Sequence, residues 1–397
     1  MIRRFLITLA LLPLAATHAS AAADPFQTCL AQLRGDAKAA GVATTVFDAQ
    51  TGALEADMEV LTFLTAQPEF KTPIWDYVAG LVDEERIEDG QAMLAKWDGV
   101  LATVEARYGV PRSVVVAVWG VESNYGKNAG KRQLVRSLAT LSCFGRRQAF
   151  FRKEFFTTLK IIQRGDVNPD HLVGSWAGAF GHTQFMPTTF MRLAVDGDGD
   201  GRRDVVDSIP DALASTANYL AKAGWVEGSR WGYEVALPKN FDASLAGRKK
   251  KQPLAQWTAL GVTRINGDPL PKEGGRAGLL LPAGPSGPAF LVFKNFDAIY
   301  AYNAAESYAL AIAHLSDRLR GGGAFVTPWP TDDPPLSRAE KRELQTLLLQ
   351  RGYDIGEPDG ILGSKSREAI KDQQRRRGEK ETGRAGLKLL KALRSGA

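Results

Sequence analysis

A carboxylate stands where an apolar helix ends. From Arg112 the sequence runs Val-Val-Val-Ala-Val-Trp-Gly-Val through its middle and then reads Glu122-Ser123-Asn124-Tyr125-Gly126. The run is apolar on every face, so this helix belongs inside a core. An unpaired charge buried there is costly, and Glu122 would hold its proton instead. A carboxyl that stays protonated near neutral pH is what a general acid requires. The same residue could equally turn outward as the helix ends or accept backbone hydrogen bonds as a structural acid. The local sequence leaves both readings open.

Three further constellations carry chemistry. Gly174-Ser175-Trp176-Ala177-Gly178-Ala179-Phe180-Gly181-His182-Thr183-Gln184-Phe185-Met186-Pro187 is a glycine-punctuated turn that permits close backbone approach. Gln184 supplies both a donor and an acceptor for a sugar acetamido or hydroxyl group. Without a Gly-Lys-Ser/Thr ending the turn is no phosphate cradle. Next, Asp196, Asp198, Asp200, Asp204 and Asp207 fall at positions 1, 3, 5, 9 and 12 of a calcium-loop template, with Gly201 at 6 and the Arg202 carbonyl at 7. Asp207 is shorter than the usual Glu, and Asp211 at the start of the next helix is the alternative closing ligand. A single loop without a Met-rich groove points to a structural calcium ion rather than a sensor. Zinc is disfavoured by the lack of clustered His and Cys. Last, Tyr219, Tyr302, Asn303 and Tyr308 are amphipathic groups on late helices. Tyr302 and Tyr308 stand six apart and share no face of a regular helix, so a bend near Asn303 is needed to bring them together. Taken one at a time, each tyrosine reads first as core packing with a satisfied hydroxyl.

The elements that must position these groups follow from periodicity. Apolar residues recur at three- and four-residue spacing from Pro25 to about Arg107, and again over Gln148–Gln163, Ser208–Ala223 and Asp297–Leu319. Pro111 suits the first turn of the Glu122 helix. Between about 231 and 296 the texture changes to short apolar runs separated by Pro, Gly and Asn, which predicts a small β insertion. Residues 321–335 are rich in Gly and Pro and predict a linker. Beyond it, 336–397 predicts a three-helix unit, small enough to be marginal alone.

Composition bounds the function classes. The 397 residues are 44% hydrophobic and 24% charged, which excludes long disorder, a collagen-like repeat and a disulfide-dense miniprotein. The net charge of +6 is uneven: Leu336–Ala397 holds 15 Lys and Arg against 9 Asp and Glu, which leaves 35 of each sign before it. Those basic residues lie on one small unit without interleaved aromatics, so nucleic-acid binding is set aside. Arg3 and Arg4, the apolar Phe5–Leu14 and the small residues up to Ala23 predict a secretory signal peptide over 1–23, too short to span a bilayer and without a Cys for a lipid anchor. Export would place Cys29 and Cys143 in an oxidising compartment, where a disulfide and two buried free thiols both remain open.

Taken together and in order, the Glu122-Ser123-Asn124-Tyr125-Gly126 segment, the Gly174–Pro187 turn, the Asp196–Gly201 loop, Ala217-Asn218-Tyr219-Leu220 and Tyr302-Asn303 resemble the soluble lytic murein transglycosylases of the B type, family one hundred and three of the glycoside hydrolases. The resemblance covers nearly all of Pro25–Leu319. The last unit is similar to the peptidoglycan-binding family through Leu344-Gln345, Gly352-Tyr353-Asp354, Pro358–Gly363 and Ala369-Ile370, with Asp372-Gln373 where that family often has an aromatic before Gln. The resemblance implies an α+β, mainly α fold: a lysozyme-like catalytic core over 24–320 with a helical N-terminal region and the β insertion, then the 321–335 linker and a three-helix binding domain over 336–397. It implies cleavage of the MurNAc-β-1,4-GlcNAc bond of peptidoglycan without water, leaving a 1,6-anhydro-MurNAc end. Glu122 would be the single catalytic acid and base, and Ser123, Ser175, Gln184, Tyr219, Tyr302, Asn303 and Tyr308 would shape the sugar cleft. It implies no organic cofactor, peptidoglycan glycan strands and wall-remodelling proteins as partners, and a monomer in the periplasm. The rival expectations are a muramidase that uses water and a second Asp, and a wall-binding protein without activity.

Overall fold

The computed structural model describes residues 24–65, 72–271 and 275–396; the expected leader lies outside the described residues. The chain begins with α1 (Pro25–Ala39), with the Asp24 carboxylate accepting the Phe26 N–H at 2.9 Å as a cap. Helices α2 (Thr44–Thr51), α3 (Ile74–Leu81), α4 (Glu84–Lys96), α5 (Asp98–Tyr108) and α6 (Arg112–Ser123) follow. Gly109 ends α5 in the left-handed conformation, and Pro111 stands at the N-cap of α6 rather than inside its first turn. As its all-apolar run demands, α6 is buried from Ser113 through Gly120. Next come β1 (Arg132–Gln133), α7 (Leu134–Cys143), α8 (Gln148–Arg164), β2 (Val173–Gly174), α9 (Pro187–Leu193) and α10 (Ile209–Lys222), with β1 and β2 antiparallel.

The β insertion contains β3 (Gly232–Ala236), β4 (Gln252–Pro253), β5 (Thr263–Arg264), β6 (Arg276–Leu280) and β7 (Ala289–Val292), an antiparallel sheet in the order β4-β6-β7-β3-β5. A short α11 (Leu254–Ala259) lies against it, and Trp257 donates its Nε1 proton to the Ala277 carbonyl at 2.9 Å. Helices α12 (Lys294–Tyr300) and α13 (Glu306–Leu319) complete the body. The periodicity predicts one helix over Asp297–Leu319, whereas the chain leaves helical geometry after Tyr300 and resumes at Glu306. Side-chain contacts to other elements replace the helical register there: Tyr219 donates to the Ala301 carbonyl at 2.5 Å and Tyr302 to the Thr183 carbonyl at 2.7 Å.

Two cores divide the helical body. One collects α3 to α6, α10, α12 and α13 around Val115, Trp119 and Leu310; the other collects α1, α2 and α7 to α9 around Leu33, Leu138 and Phe155. Tyr219 and Tyr302 pack against both, so they mark the seam. Cys29 and Cys143 are joined in a disulfide across a sequence separation of 114, which settles the pairing the sequence leaves open and ties α1 to the end of α7.

The Gly- and Pro-rich stretch after α13 is pinned. Phe325 stacks on His314 at 3.8 Å, and the N–H groups of Val326 and Thr327 each donate to the Glu234 carboxylate at 2.8 Å. Helices α14 (Arg338–Gln350), α15 (Ser364–Arg376) and α16 (Leu387–Arg394) then pack around Leu344, Leu348, Ile370 and Leu390. Ser337 and Glu340 form a capping box at the start of α14. This small module lies against α3 and α4, and Arg338, Arg342 and Arg384 face Asp76, Asp83 and Glu85 there.

Candidate active site

Local strain and close packing fix the end of α6. Asn124 and Tyr125 take positive φ values of 51° and 58°, which folds Tyr125 back beneath the helix. A Cβ on Gly120 would lie 2.6 Å from the Tyr125 ring, and one on Gly90 would lie 2.4 Å from its hydroxyl, so both positions need glycine. The Tyr125 hydroxyl donates to the Arg86 carbonyl at 2.8 Å. Ser123, 2% exposed, donates to the His182 carbonyl at 2.5 Å and accepts the Gly126 N–H at 2.9 Å. Trp119 donates to His182 Nδ1 at 3.2 Å, and burial lowers the His182 pKa, which keeps that nitrogen an acceptor. Glu122 is therefore held on a helix end bolted to the Gly174–Pro187 turn.

Glu122, half-buried, opens into a hollow of about 340 Å³ that it shares with Asn303 and Tyr308 on one side and Asp76, Tyr77 and Gly80 on the other. The Tyr308 hydroxyl donates to Glu122 Oε1. Behind it runs a row of rings: Tyr308 stacks on Tyr302 at 6.3 Å, and Tyr302 lies 4.6 Å from Tyr219. Burial, reinforced by the charge of Glu122, holds the phenols of Tyr302 and Tyr308 well above their ordinary pKa. Burial also raises Tyr219. All three act as neutral hydrogen-bond donors.

The fold thus gathers Glu122, Asn303 and Tyr308 at one hollow with Tyr302 and Tyr219 in the row behind. The other named residues secure the turn: Gln184, at φ +52°, donates its amide to the carbonyls of Ala129 and Gly181 at 2.9 Å each, and Ser175 Oγ accepts the Ala179 N–H at 3.0 Å. Sequence reasoning missed Asp76 and Tyr77. The only local trace of them is an acid followed by an aromatic in the first turn of the amphipathic α3, a pattern common on helix surfaces. Asp76 is not free in the hollow, because Arg384 donates to its two oxygens at 2.6 and 2.9 Å.

The acidic loop is a separate cluster. Asp196, Asp198 and Asp211 each offer a carboxylate oxygen within 4.8 Å of the others. Asp211 is buried and accepts the N–H groups of Gly197 at 2.7 Å and Asp204 at 2.5 Å, yet burial still pushes its pKa up to about 6. Asp204 accepts the N–H groups of Val206 and Asp207 at 2.9 Å each, and its other oxygen is buried with no hydrogen-bond partner among the described residues. Crowded, dehydrated carboxylate oxygens of this kind fit a hard divalent cation. Between the two closing residues open in the sequence, Asp211 joins the cluster, while Asp207 pairs with His171 at 2.8 Å. Asp200 contacts Arg202 at 3.1 Å.

The chain is similar to known proteins over almost its whole described length. Residues 25–317 match the Transglycosylase SLT domain family, and 337–393 match a peptidoglycan binding domain. The membrane-bound lytic murein transglycosylase B of Escherichia coli is 33% identical over 60% of this chain, and the match spans 65% of that relative's length. SltB3 from Pseudomonas aeruginosa, solved in complex with NAG-anhNAM-pentapeptide, is 47% identical, with a TM-score of 0.76 over 93% of this chain and 99% of that one. The Escherichia coli lytic transglycosylase Slt35, solved in complex with calcium, is 28% identical, with a TM-score of 0.63 over 75% of this chain and 92% of that one. A carboxylate at the end of a buried helix, a tyrosine row at the seam of two helical cores and an appended three-helix module thus find one common frame: the chain belongs to the transglycosylase SLT family, with a peptidoglycan-binding domain at its C-terminal side.

Proposed function

We propose that the protein is a lytic transglycosylase that cleaves the MurNAc-β-1,4-GlcNAc bond of peptidoglycan without water, with Glu122 as acid and then base. The observation that carries this reading is the placement of Glu122: a half-buried carboxyl, held by the Tyr308 hydroxyl, at the floor of an open hollow. Protonated Glu122 gives its proton to the glycosidic oxygen. The C1–O bond breaks as the acetamido oxygen of MurNAc bonds to C1, and the GlcNAc leaves with a free hydroxyl. The Glu122 carboxylate then removes the proton of the C6 hydroxyl, and O6 bonds to C1 and displaces the acetamido oxygen. Sugar-assisted chemistry of this kind needs one carboxyl group where most glycosidases need two. Asp76, the other acid that lines the hollow among the described residues, is occupied by a guanidinium on both oxygens, which argues against its acting as a water-activating second carboxylate. Tyr308 steadies the carboxylate form between the two proton transfers.

The reading extends to the rest of the molecule. The cleft takes glycan strands, and SltB3 was crystallised with NAG-NAM-pentapeptide as well as its anhydro counterpart. Asp196, Asp198 and Asp211, with Asp204 beside them, would hold a calcium ion that braces the turn between α9 and α10. The ion supplies charge neutralisation to the loop and no catalytic step. The place of work is the periplasm; among the described residues no helix is long and apolar enough to cross a membrane. Glu122→Gln keeps the shape of the site and removes the transferable proton. It should lower turnover of purified sacculi at least about a thousandfold while binding to sacculi persists. Turnover close to that of the parent protein would overturn the assignment.

A further inference from the structure

The peptidoglycan-binding module grips the wall of the hollow rather than hanging from a free tether. Arg384 uses its whole guanidinium. Nε and Nη2 donate to the two oxygens of Asp76 at 2.6 and 2.9 Å, and Nη1 and Nη2 reach Asp333 Oδ2 at 2.5 Å and its carbonyl at 2.7 Å. The Arg384 and Asp76 side chains are only 24% and 15% exposed, so the pair is largely shielded from solvent screening. Bidentate geometry fixes direction as well as distance.

Asp76 lies in the first turn of α3, and the residues just after it, Tyr77, Gly80 and Leu81, line the same hollow as Glu122 and Tyr308. The far end of α3 is held by the same module. Arg338 pairs with Asp83 at 3.4 Å and Glu85 at 3.3 Å, and Arg342 with Glu85 at 2.5 Å, where α4 begins. Between these anchors the Lys341 ammonium sits over Gly80, where an added Cβ would meet it at 3.2 Å. On its other side α3 packs on α13, the helix that carries Tyr308. The α3 wall is therefore clamped between the helix bearing the donor to Glu122 and a module that is itself built to hold the cell wall.

We propose that Arg384 is a positioning residue for the transglycosylase reaction: through Asp76 it sets the stance of α3, so that the docked module completes the hollow around Glu122. Arg384 touches no reacting atom. The proposal rests on Glu122 as the catalytic carboxyl, and its failure is distinguishable, since that reading is tested by Glu122→Gln and this one with Glu122 intact.

The test uses the full chain and a soluble tetrasaccharide of alternating GlcNAc and MurNAc, with sacculus binding and melting temperature measured alongside. Arg384→Gln and Asp76→Asn should each lower kcat on the tetrasaccharide about tenfold, with sacculus binding kept and the melting temperature within a few degrees. Because both remove the shared Arg384–Asp76 contact, the double variant should lose about tenfold and not a hundredfold. Arg384→Lys, which keeps the charge but not the fork, should fall between. Unchanged tetrasaccharide turnover in Arg384→Gln would overturn the proposal. So would losses that multiply in the double variant, and so would loss of sacculus binding alone, which would make Arg384 part of the wall-binding surface.

Discussion

The hollow at Glu122 and the loop at Asp211 both take carboxylates out of water, and they do so by opposite means. Glu122 is met by a neutral donor, Tyr308, on a floor of packed rings and apolar helix. Asp211 is met by backbone N–H groups and by other carboxylates, Asp196 and Asp198. A carboxyl with a phenol beside it can exchange a proton within the reach of a sugar. Carboxylates gathered on a tight loop repel each other unless a cation joins them. The contrast teaches that residue type alone does not assign a role; the charge of the neighbours does.

The two regions should separate most sharply at the Tyr308 hydroxyl. Tyr308→Phe removes the donor to Glu122 and little else, since the ring stays stacked on Tyr302. A hydrogen bond to a charged group contributes about 1.5–3 kcal/mol, so kcat on soluble glycan should fall about 10- to 100-fold with calcium-dependent stability unchanged. An equal fall in kcat and in calcium-dependent stability would mean the two regions are one structural unit.

Removing calcium should do the reverse. At a free calcium concentration about 100 times Kd, binding contributes about 2.7 kcal/mol, so extensive dialysis against a calcium-free buffer should lower the melting temperature by about 5 °C. The effect should depend on pH. The Asp211 carboxyl sits at about 6 in the folded chain against an ordinary 3.8, so without a cation its contribution to stability falls as pH rises from about 4 to about 6. A bound cation favours the ionised form, and the calcium-dependent rise in melting temperature should be larger at pH 7 than at pH 5. Equal rises at the two pH values would remove Asp211 from the site.

Much of this was legible in the sequence where a local pattern carries the physics. An acid closing an all-apolar helix points to Glu122, and regular spacing of aspartates points to the loop. What the sequence could not reveal depends on long-range contacts. The spacing of Tyr302 and Tyr308 calls for a bend near Asn303, but not for the hydroxyl contacts to other elements that accompany the break after Tyr300. Asp211 rather than Asp207 joins Asp196 and Asp198 because the loop turns one inward and the other toward His171. Asp76 enters the hollow from α3, with no pattern near Glu122 to announce it. Part of the basic C-terminal charge is neutralised by the body itself, through Arg338, Arg342 and Arg384.

In the proposed reaction one carboxyl group, Glu122, serves both proton transfers with no activated water. The mass spectrum of the fragments released from purified sacculi tests it most directly. Products lighter than the hydrolysed muropeptides by one water and resistant to reduction by borohydride are expected; reducing ends that take up borohydride would mean that water is the nucleophile.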